Sequence, residues 1–117
     1  MDTATAAELL AAERSRIEGQ LARLGAEFAP GAADSLANDT DSGDAAFDLQ
    51  ERERDSGRIE ELRAELAAVE RAELRLAEGT YGLSVESGEP ISEARLTRLP
   101  AAERTAEEQR RFERMGG

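Results

Sequence analysis

The stretch IEELRAELAAVERAELRLAEG, residues 59–79, contains the pattern that decides the fold. Its large apolar residues alternate at spacings of three and four, and Glu73 takes the one place where another apolar residue would fall. They are Ile59, Leu62, Leu66, Val69 and Leu76. This period places them on one face of an α-helix. A helix of about 35 residues, roughly 50 Å long, is therefore predicted from about Asp44 to Glu78.

A second apolar stripe lies upstream, at spacings of seven, four, three and four. It consists of Leu10, Ile17, Leu21, Leu24 and Phe28. Pro30 and Gly31 are predicted to end this helix, and the connector APGAADSLANDTDSG, residues 29–43, is rich in turn-forming residues. Two helices joined by a short connector form an antiparallel hairpin. Residues 50–58, QERERDSGR, are polar, so the hairpin seam is predicted to be apolar at the base and polar near the tip.

The composition changes after Gly79. Residues 79–100 carry Gly, Ser, Thr and Pro between short β-like pieces, and a final helix is predicted with Pro100 at its start. The predicted fold class is all-α. Its domains are a coiled-coil hairpin over 1–78 with an acidic tip at about 34–48, and a small knuckle with a C-terminal helix over 79–117.

Charge and composition exclude several function classes. The net charge of −11 disfavours direct binding to nucleic acid or to an anionic membrane. The chain has no Cys and no His, which excludes disulfides, a zinc site of the usual kind and catalysis by either residue. No apolar run approaches the roughly 20 residues of a membrane span. The first residues also lack the features of a secretory signal, so a cytoplasmic location is expected.

Two separated motifs resemble the DksA/TraR family of RNA polymerase regulators. The first is DSGDAA, with Asp41, Asp44 and Ala46, and the second runs over residues 71–100, RAELRLAEGTYGLSVESGEPISEARLTRLP. The resemblance implies a hairpin that enters the polymerase secondary channel, a zinc ribbon at its base and a C-terminal helix. It implies that Asp41, Asp44 and Ala46 form a tip acting near the catalytic magnesium and the trigger loop.

The chain departs from this family at the zinc site. The family's four zinc cysteines align with Ser84, Ser87, Thr105 and Glu108, which are no zinc ligand set. The knuckle is therefore expected to be free of metal, with Ser and Thr hydrogen-bonding the turns and no cofactor bound. Packing is expected from five apolar residues, which are Leu83, Val85, Ile91, Leu96 and Leu99.

A second departure concerns the alarmone ppGpp, which some family members help the polymerase to bind. The basic positions of the family align with Ala68, Leu99 and Gln109, and none is cationic here. Because a polyphosphate requires Arg or Lys, the protein is expected to act independently of ppGpp binding.

Other arginines have two interpretations. Arg52, Arg54 and Arg58 either pair with acidic neighbours along the helix or contact the rim of the polymerase channel. Arg95 is expected to tie the knuckle to the hairpin base through a carboxylate.

The acidic connector also has a plainer interpretation, as a solvated loop with a helix cap. A calcium loop starting at Asp39 is disfavoured. Its sixth position is Asp44, where glycine is needed, and its twelfth is Gln50, where such loops have a glutamate ligand.

The resemblance thus implies a non-enzymatic regulator that binds RNA polymerase and modulates initiation through its tip. A monomer is expected, because a hairpin that folds back on itself needs no partner helix. Two alternatives remain: an acidic helical hairpin that binds another basic partner, and a protein that occupies the channel without a regulatory effect. No nucleophile–base set and no paired carboxylates stand out, so an enzyme is disfavoured.

Overall fold

The computed structural model describes residues 1–25 and 45–116. Four helices are α1 (Thr3–Arg23), α2 (Ala45–Glu78), α3 (Glu93–Arg98) and α4 (Ala106–Arg114). The single extended pairing in this part of the chain is an isolated antiparallel bridge between Leu83 and Pro90. The predicted all-α class is confirmed. None of the described helices combines the length and the apolarity that a membrane-spanning segment requires.

Helices α1 and α2 form the predicted antiparallel hairpin. Residues further along α1 pair with residues earlier in α2: Arg14 contacts Glu73, and Arg16 contacts Glu65. The structure contains the predicted long helix as one element of 34 residues. It ends at Glu78. The next residue, Gly79, has a φ of 87°, and this lets Thr80 donate its N–H to the carbonyl of Arg75 at 2.9 Å.

Helix α1 ends earlier than predicted, at Arg23. Gly25 follows with a φ of 76°, and its N–H donates to the carbonyl of Ala22 at 3.0 Å. A glycine in this conformation stops a helix, so the stop signal is Gly25. The prediction that Pro30 and Gly31 end the helix was wrong in this respect.

The chain divides into two compact units, residues 15–66 and residues 1–14 with 67–117. Among the described residues of the first unit, three are fully buried, which are Ile17, Leu21 and Leu62. The second has a larger buried set, which is Ala6, Leu10, Val69, Ala72, Ile91 and Leu96. The start of α1 and the end of α2 belong to the second unit, together with the residues after Gly79. The predicted domain boundary at residue 78 stays a prediction.

The region after Gly79 contains a short helix, α3, that the sequence analysis did not predict. Ser92 caps its start, with Oγ accepting from the N–H of Arg95 at 3.1 Å. Such a cap orders one short turn of helix where only turns and β-like pieces were expected.

The C-terminal helix exists, but its predicted start was wrong. It begins at Ala106, six residues after Pro100. Thr105 and Glu108 form a capping box, in which Thr105 Oγ1 accepts from the Glu108 N–H at 3.2 Å and Glu108 Oε1 accepts from the Thr105 N–H at 3.0 Å. This reciprocal pair satisfies two free donors at the helix start, which Pro100 cannot do.

Candidate functional site

A polar cluster with short hydrogen bonds is centred on the carboxylate of Glu108. Ser84 Oγ donates to Glu108 Oε1 at 2.6 Å, and Ser87 Oγ donates to Glu108 Oε2 at 2.5 Å. Thr105 adds its N–H, as described above. We call Ser84, Ser87, Thr105 and Glu108 the Glu108 cluster. The structure thus brings together all four residues that the sequence analysis aligned with zinc cysteines; that alignment itself stays a prediction.

The two serine hydroxyls of the Glu108 cluster also accept hydrogen bonds from the backbone of their own turn. Ser84 Oγ accepts from the N–H groups of Glu86 and Ser87 at 3.0 and 3.2 Å, while Ser87 Oγ accepts from the Glu89 N–H at 3.2 Å. Each hydroxyl therefore receives backbone N–H groups and donates its own proton to the carboxylate. Serines hydrogen-bond the turn as expected. Glu108 was not predicted to be their common acceptor, although the T-x-x-E spacing indicates its capping box.

These donors keep Glu108 ionised. Its side chain is buried, with 7% of the residue exposed. The hydroxyls of Ser84 and Ser87, together with the Thr105 N–H, hold the pKa of Glu108 at about 2. A buried carboxylate is stable in its charged form when several donors face it. Both of its oxygens are occupied by these bonds, so the cluster is suited to fixing chain segments to one another.

The candidate metal chemistry of this cluster is poor. Hydroxyl groups do not ionise at neutral pH, and one carboxylate supplies too little charge and too few donors for zinc. Within residues 1–25 and 45–116, no group of three His, Cys, Asp or Glu side chains could hold a metal ion. The donor set therefore does not fit the zinc that the family resemblance implies.

A second cluster ties the segment before α4 to α2 in the same compact unit. Arg71 Nε donates to Glu103 Oε2 at 2.7 Å, and Arg75 Nη1 lies 3.4 Å from the same oxygen. The hydrogen bond from Arg71 lowers the pKa of Glu103. The carbonyl of Glu103 also accepts from the Val85 N–H at 2.9 Å. Glu103 thus joins α2 to the serine turn.

Arg95 and Arg104 fix the last helix. Arg95 Nε donates to the carbonyl of Arg104 at 3.0 Å, so the expected partner, a carboxylate, was wrong. Arg104 donates to Glu86 Oε2 at 2.6 Å, and its guanidinium lies 3.7 Å from the centre of the Phe112 ring. This cation–π contact was missed, because nothing in the sequence spacing connects Arg104 to Phe112.

The expected apolar packing of the knuckle was partly wrong. Ile91 and Leu96 are buried, whereas Leu83, Val85 and Leu99 are 39%, 51% and 46% exposed. Ser84, which lies between Leu83 and Val85, is buried and bonds Glu108, so the turn presents a hydroxyl and not an apolar side chain to the interior.

The arginines considered for the polymerase rim differ in their contacts. Arg58 donates to Glu61 at 3.1 Å and to Gln20 of α1 at 2.9 Å, so it takes part in pairing within the hairpin. Arg52 and Arg54 are exposed on the polar part of α2. Contact of any of the three with a partner stays a prediction.

The predicted tip falls largely outside the described residues. Asp41 and Asp44 lie there, and Ala46 is described only as backbone at the start of α2. The structure leaves the tip assignment untested.

The three positions aligned with ppGpp contacts are all described. Ala68 is half-buried, Leu99 is exposed, and Gln109 Nε2 donates to Glu113 at 3.0 Å.

Comparison with known proteins identifies the family. No family model matches the chain. The structure of the transcription factor DksA2 from Pseudomonas aeruginosa matches with a TM-score of 0.72 and 29% identity, covering 97% of this chain and 84% of that chain. The RNA polymerase-binding transcription factor DksA of Caulobacter vibrioides is 35% identical over 82 residues, 70% of this chain and 51% of that protein. The chain belongs to the DksA/TraR family.

Membership confirms the family resemblance found in the sequence. The DksA-like hairpin is present. Residues 79–117, which we call the base, contain no cysteine. The chain spans about half the length of the curated DksA proteins it matches. What those proteins bind therefore enters below as a proposal.

Proposed function

We propose that the protein is a transcription regulator that binds RNA polymerase through the secondary channel. The observation that carries this proposal is the match to DksA2 over 97% of the chain, which includes both the hairpin and the base. The name of the Caulobacter vibrioides relative states that it binds RNA polymerase, and we extend that property to this chain.

The base would supply a rigid docking platform without a metal ion. In zinc-ribbon proteins the metal cross-links two turns that are distant in sequence. Here the carboxylate of Glu108 links the Ser84–Ser87 turn to the start of α4 by the short hydrogen bonds already described. Glu103 adds the connection to α2. Both anchors use charged acceptors, whose hydrogen bonds are stronger than neutral ones.

The hairpin would deliver its acidic tip to the polymerase active site. Carboxylates at Asp41 and Asp44 can interact with a magnesium ion or an arginine cluster at the end of a thin helical rod. Such a contact acts allosterically if it differs between two states of the active-site region, and it then shortens the lifetime of unstable promoter complexes. Arg52 and Arg54 are available for contacts at the channel rim.

Two further properties belong to the proposal. The regulator acts independently of ppGpp binding, because Ala68, Leu99 and Gln109 supply no cation. It acts in the cytoplasm by binding and not by catalysis. A binding role fits the use of Glu103 and Glu108, whose carboxylates accept hydrogen bonds that join chain segments.

The test is transcription in vitro from an unstable ribosomal-type promoter with the cognate polymerase. Wild type is compared with the variant Asp41→Asn/Asp44→Asn, and a pull-down measures polymerase binding by each. The matched control is Glu51→Gln/Glu53→Gln, which removes the same charge from exposed positions of α2.

The proposal predicts that wild type changes the transcript yield, that the tip variant binds but has no effect, and that the control behaves like wild type. If all three bind and none alters transcription, the protein occupies the channel as a competitor. If none binds polymerase, the partner is wrong, and an acidic hairpin module with net charge −11 is the alternative. Adding ppGpp should leave the wild-type effect unchanged.

A further inference from the structure

One segment of α2 contributes no apolar side chain to the hairpin seam. Residues 51–57, ERERDSG, contain no apolar side chain, and each is exposed except Asp55, which is half-buried. From Arg58 onward the helix contributes Ile59 and the fully buried Leu62 to the seam. Because most helix stability in proteins comes from packing an apolar face, the two parts of this helix differ in what stabilises them.

Gly57 stands at the border between these two parts. Apart from the neighbouring backbone of α2 itself, a Cβ atom added there would meet no atom of the described residues within 4 Å, so packing among them does not require a glycine. Glycine in a helix interior is less favourable than alanine by about 1 kcal/mol, because it loses more backbone freedom on folding. The helix is therefore weakened at this point without a steric reason.

The charges of the segment give no clear stabilisation, because opposite charges at a spacing of three, as in Glu51 and Arg54, are offset by like charges at a spacing of four. Glu51 and Asp55 are both acidic at a spacing of four, and Arg54 and Arg58 are both basic at the same spacing. Like charges at this spacing lie side by side on a helix and repel. Arg58 itself is held by Glu61 and by Gln20 of α1, so the border falls between a held residue and an exposed segment.

We propose that residues 50–57 of α2 open and close as a local unit, hinged at Gly57, while the helix from Arg58 onward stays closed. Local opening is expected where a helix lacks buried apolar contacts and exposes its backbone hydrogen bonds. The consequence for function rests on the proposed function. The hinge would determine the range of orientations that the residues before Gln50 can take relative to the helix from Arg58 onward.

Hydrogen exchange of the free, full chain tests the hinge without any polymerase. Amides of 50–57 are compared with amides of 59–66 in wild type, Gly57→Ala and Gly19→Ala. The second variant makes the same substitution in α1, where the added Cβ meets only the end of Arg23, at 3.9 Å.

Wild type should exchange faster over 50–57 than over 59–66. Gly57→Ala should slow exchange over 50–57 about fivefold, which corresponds to the glycine–alanine difference of about 1 kcal/mol. Gly19→Ala should leave 50–57 unchanged, because stabilising α1 does not affect an opening confined to this segment. Equal protection of both regions in wild type, or equal slowing of 50–57 by both variants, would show that the helix opens only as a whole and would overturn the proposal.

Discussion

At the scale of single residues, Glu108 determines how the base is held. One carboxylate connects two serines in a turn with the first turn of α4, and its own backbone N–H completes the capping box. A glutamate that caps a helix is common, but a glutamate that caps and also receives two hydroxyls needs a turn placed directly against it. Glu108 thus has a structural role that its position in α4 alone does not reveal.

Replacing Glu108 by Gln should destabilise the base. The amide keeps one acceptor oxygen but presents an NH₂ group to one of the two serine hydroxyls, and it loses the charge that strengthens these bonds. We expect a lower thermal midpoint, measured through Tyr81, the only tyrosine, whose hydroxyl donates to the Pro100 carbonyl at 2.8 Å. Glu107→Gln is the matched control, since Glu107 is exposed and forms a surface ion pair with Arg111 at 3.7 Å. Equal midpoints for both variants would contradict the role assigned to Glu108.

The same carboxylate should make the base sensitive to acid in a defined direction. The pKa of Glu108 is about 2 in the folded chain, and an unfolded glutamate titrates at about 4.3. Because the folded value is the lower one, the stabilisation by Glu108 is complete above about pH 4.3 and is lost as the pH falls towards 2. In urea unfolding followed by Tyr81, the difference between wild type and Glu108→Gln should be constant from about pH 7 to 5 and shrink below that. A difference still undiminished at about pH 2.5 would refute this account.

At the scale of helices, the apolar seam of the hairpin carries the stability of α2. Leu62 is fully buried, whereas Leu74, on the same helix, is 63% exposed. Both residues are leucines in one continuous element, so they separate the effect of burial from the effect of helix propensity.

Leu62→Ala should therefore cost about 2–5 kcal/mol of unfolding free energy, because it removes buried methyl groups and leaves a cavity. Leu74→Ala should change stability by no more than about 0.5 kcal/mol, since alanine is a good helix former and little apolar surface is lost. Urea denaturation followed by the helical circular dichroism signal measures both. Similar losses for the two variants would mean that Leu62 does not contribute through the seam.

At the scale of the whole molecule, the fold should not depend on metal. Zinc proteins unfold with chelator because thiolate and imidazole ligands bind the metal strongly only in the folded state. The chain has neither Cys nor His. Its thermal midpoint should therefore be the same with EDTA and with added zinc, and competition between the protein and a zinc indicator should detect no tight binding. A midpoint that falls in EDTA would show a metal site that the described residues do not form.

The sequence by itself determined the hairpin. Spacings of three and four set the seam of α2, and burial of Ile17, Leu21, Leu62 and Val69 follows that pattern because helix geometry is local and periodic. The absence of Cys and His likewise fixed a base without zinc. Helix ends were less predictable. Gly25 follows the end of α1, ahead of the predicted Pro30, and Thr105 caps the start of α4 in place of the predicted Pro100.

Only the tertiary structure decided how the base is held together. Ser84 and Glu108 are 24 positions apart, and Arg104 reaches both Glu86 and Phe112. Such contacts depend on where turns bring distant segments, and no local period records them. For the same reason the exposure of Leu83 and Val85 could not be predicted, because Ser84 between them is buried and bonds the distant carboxylate.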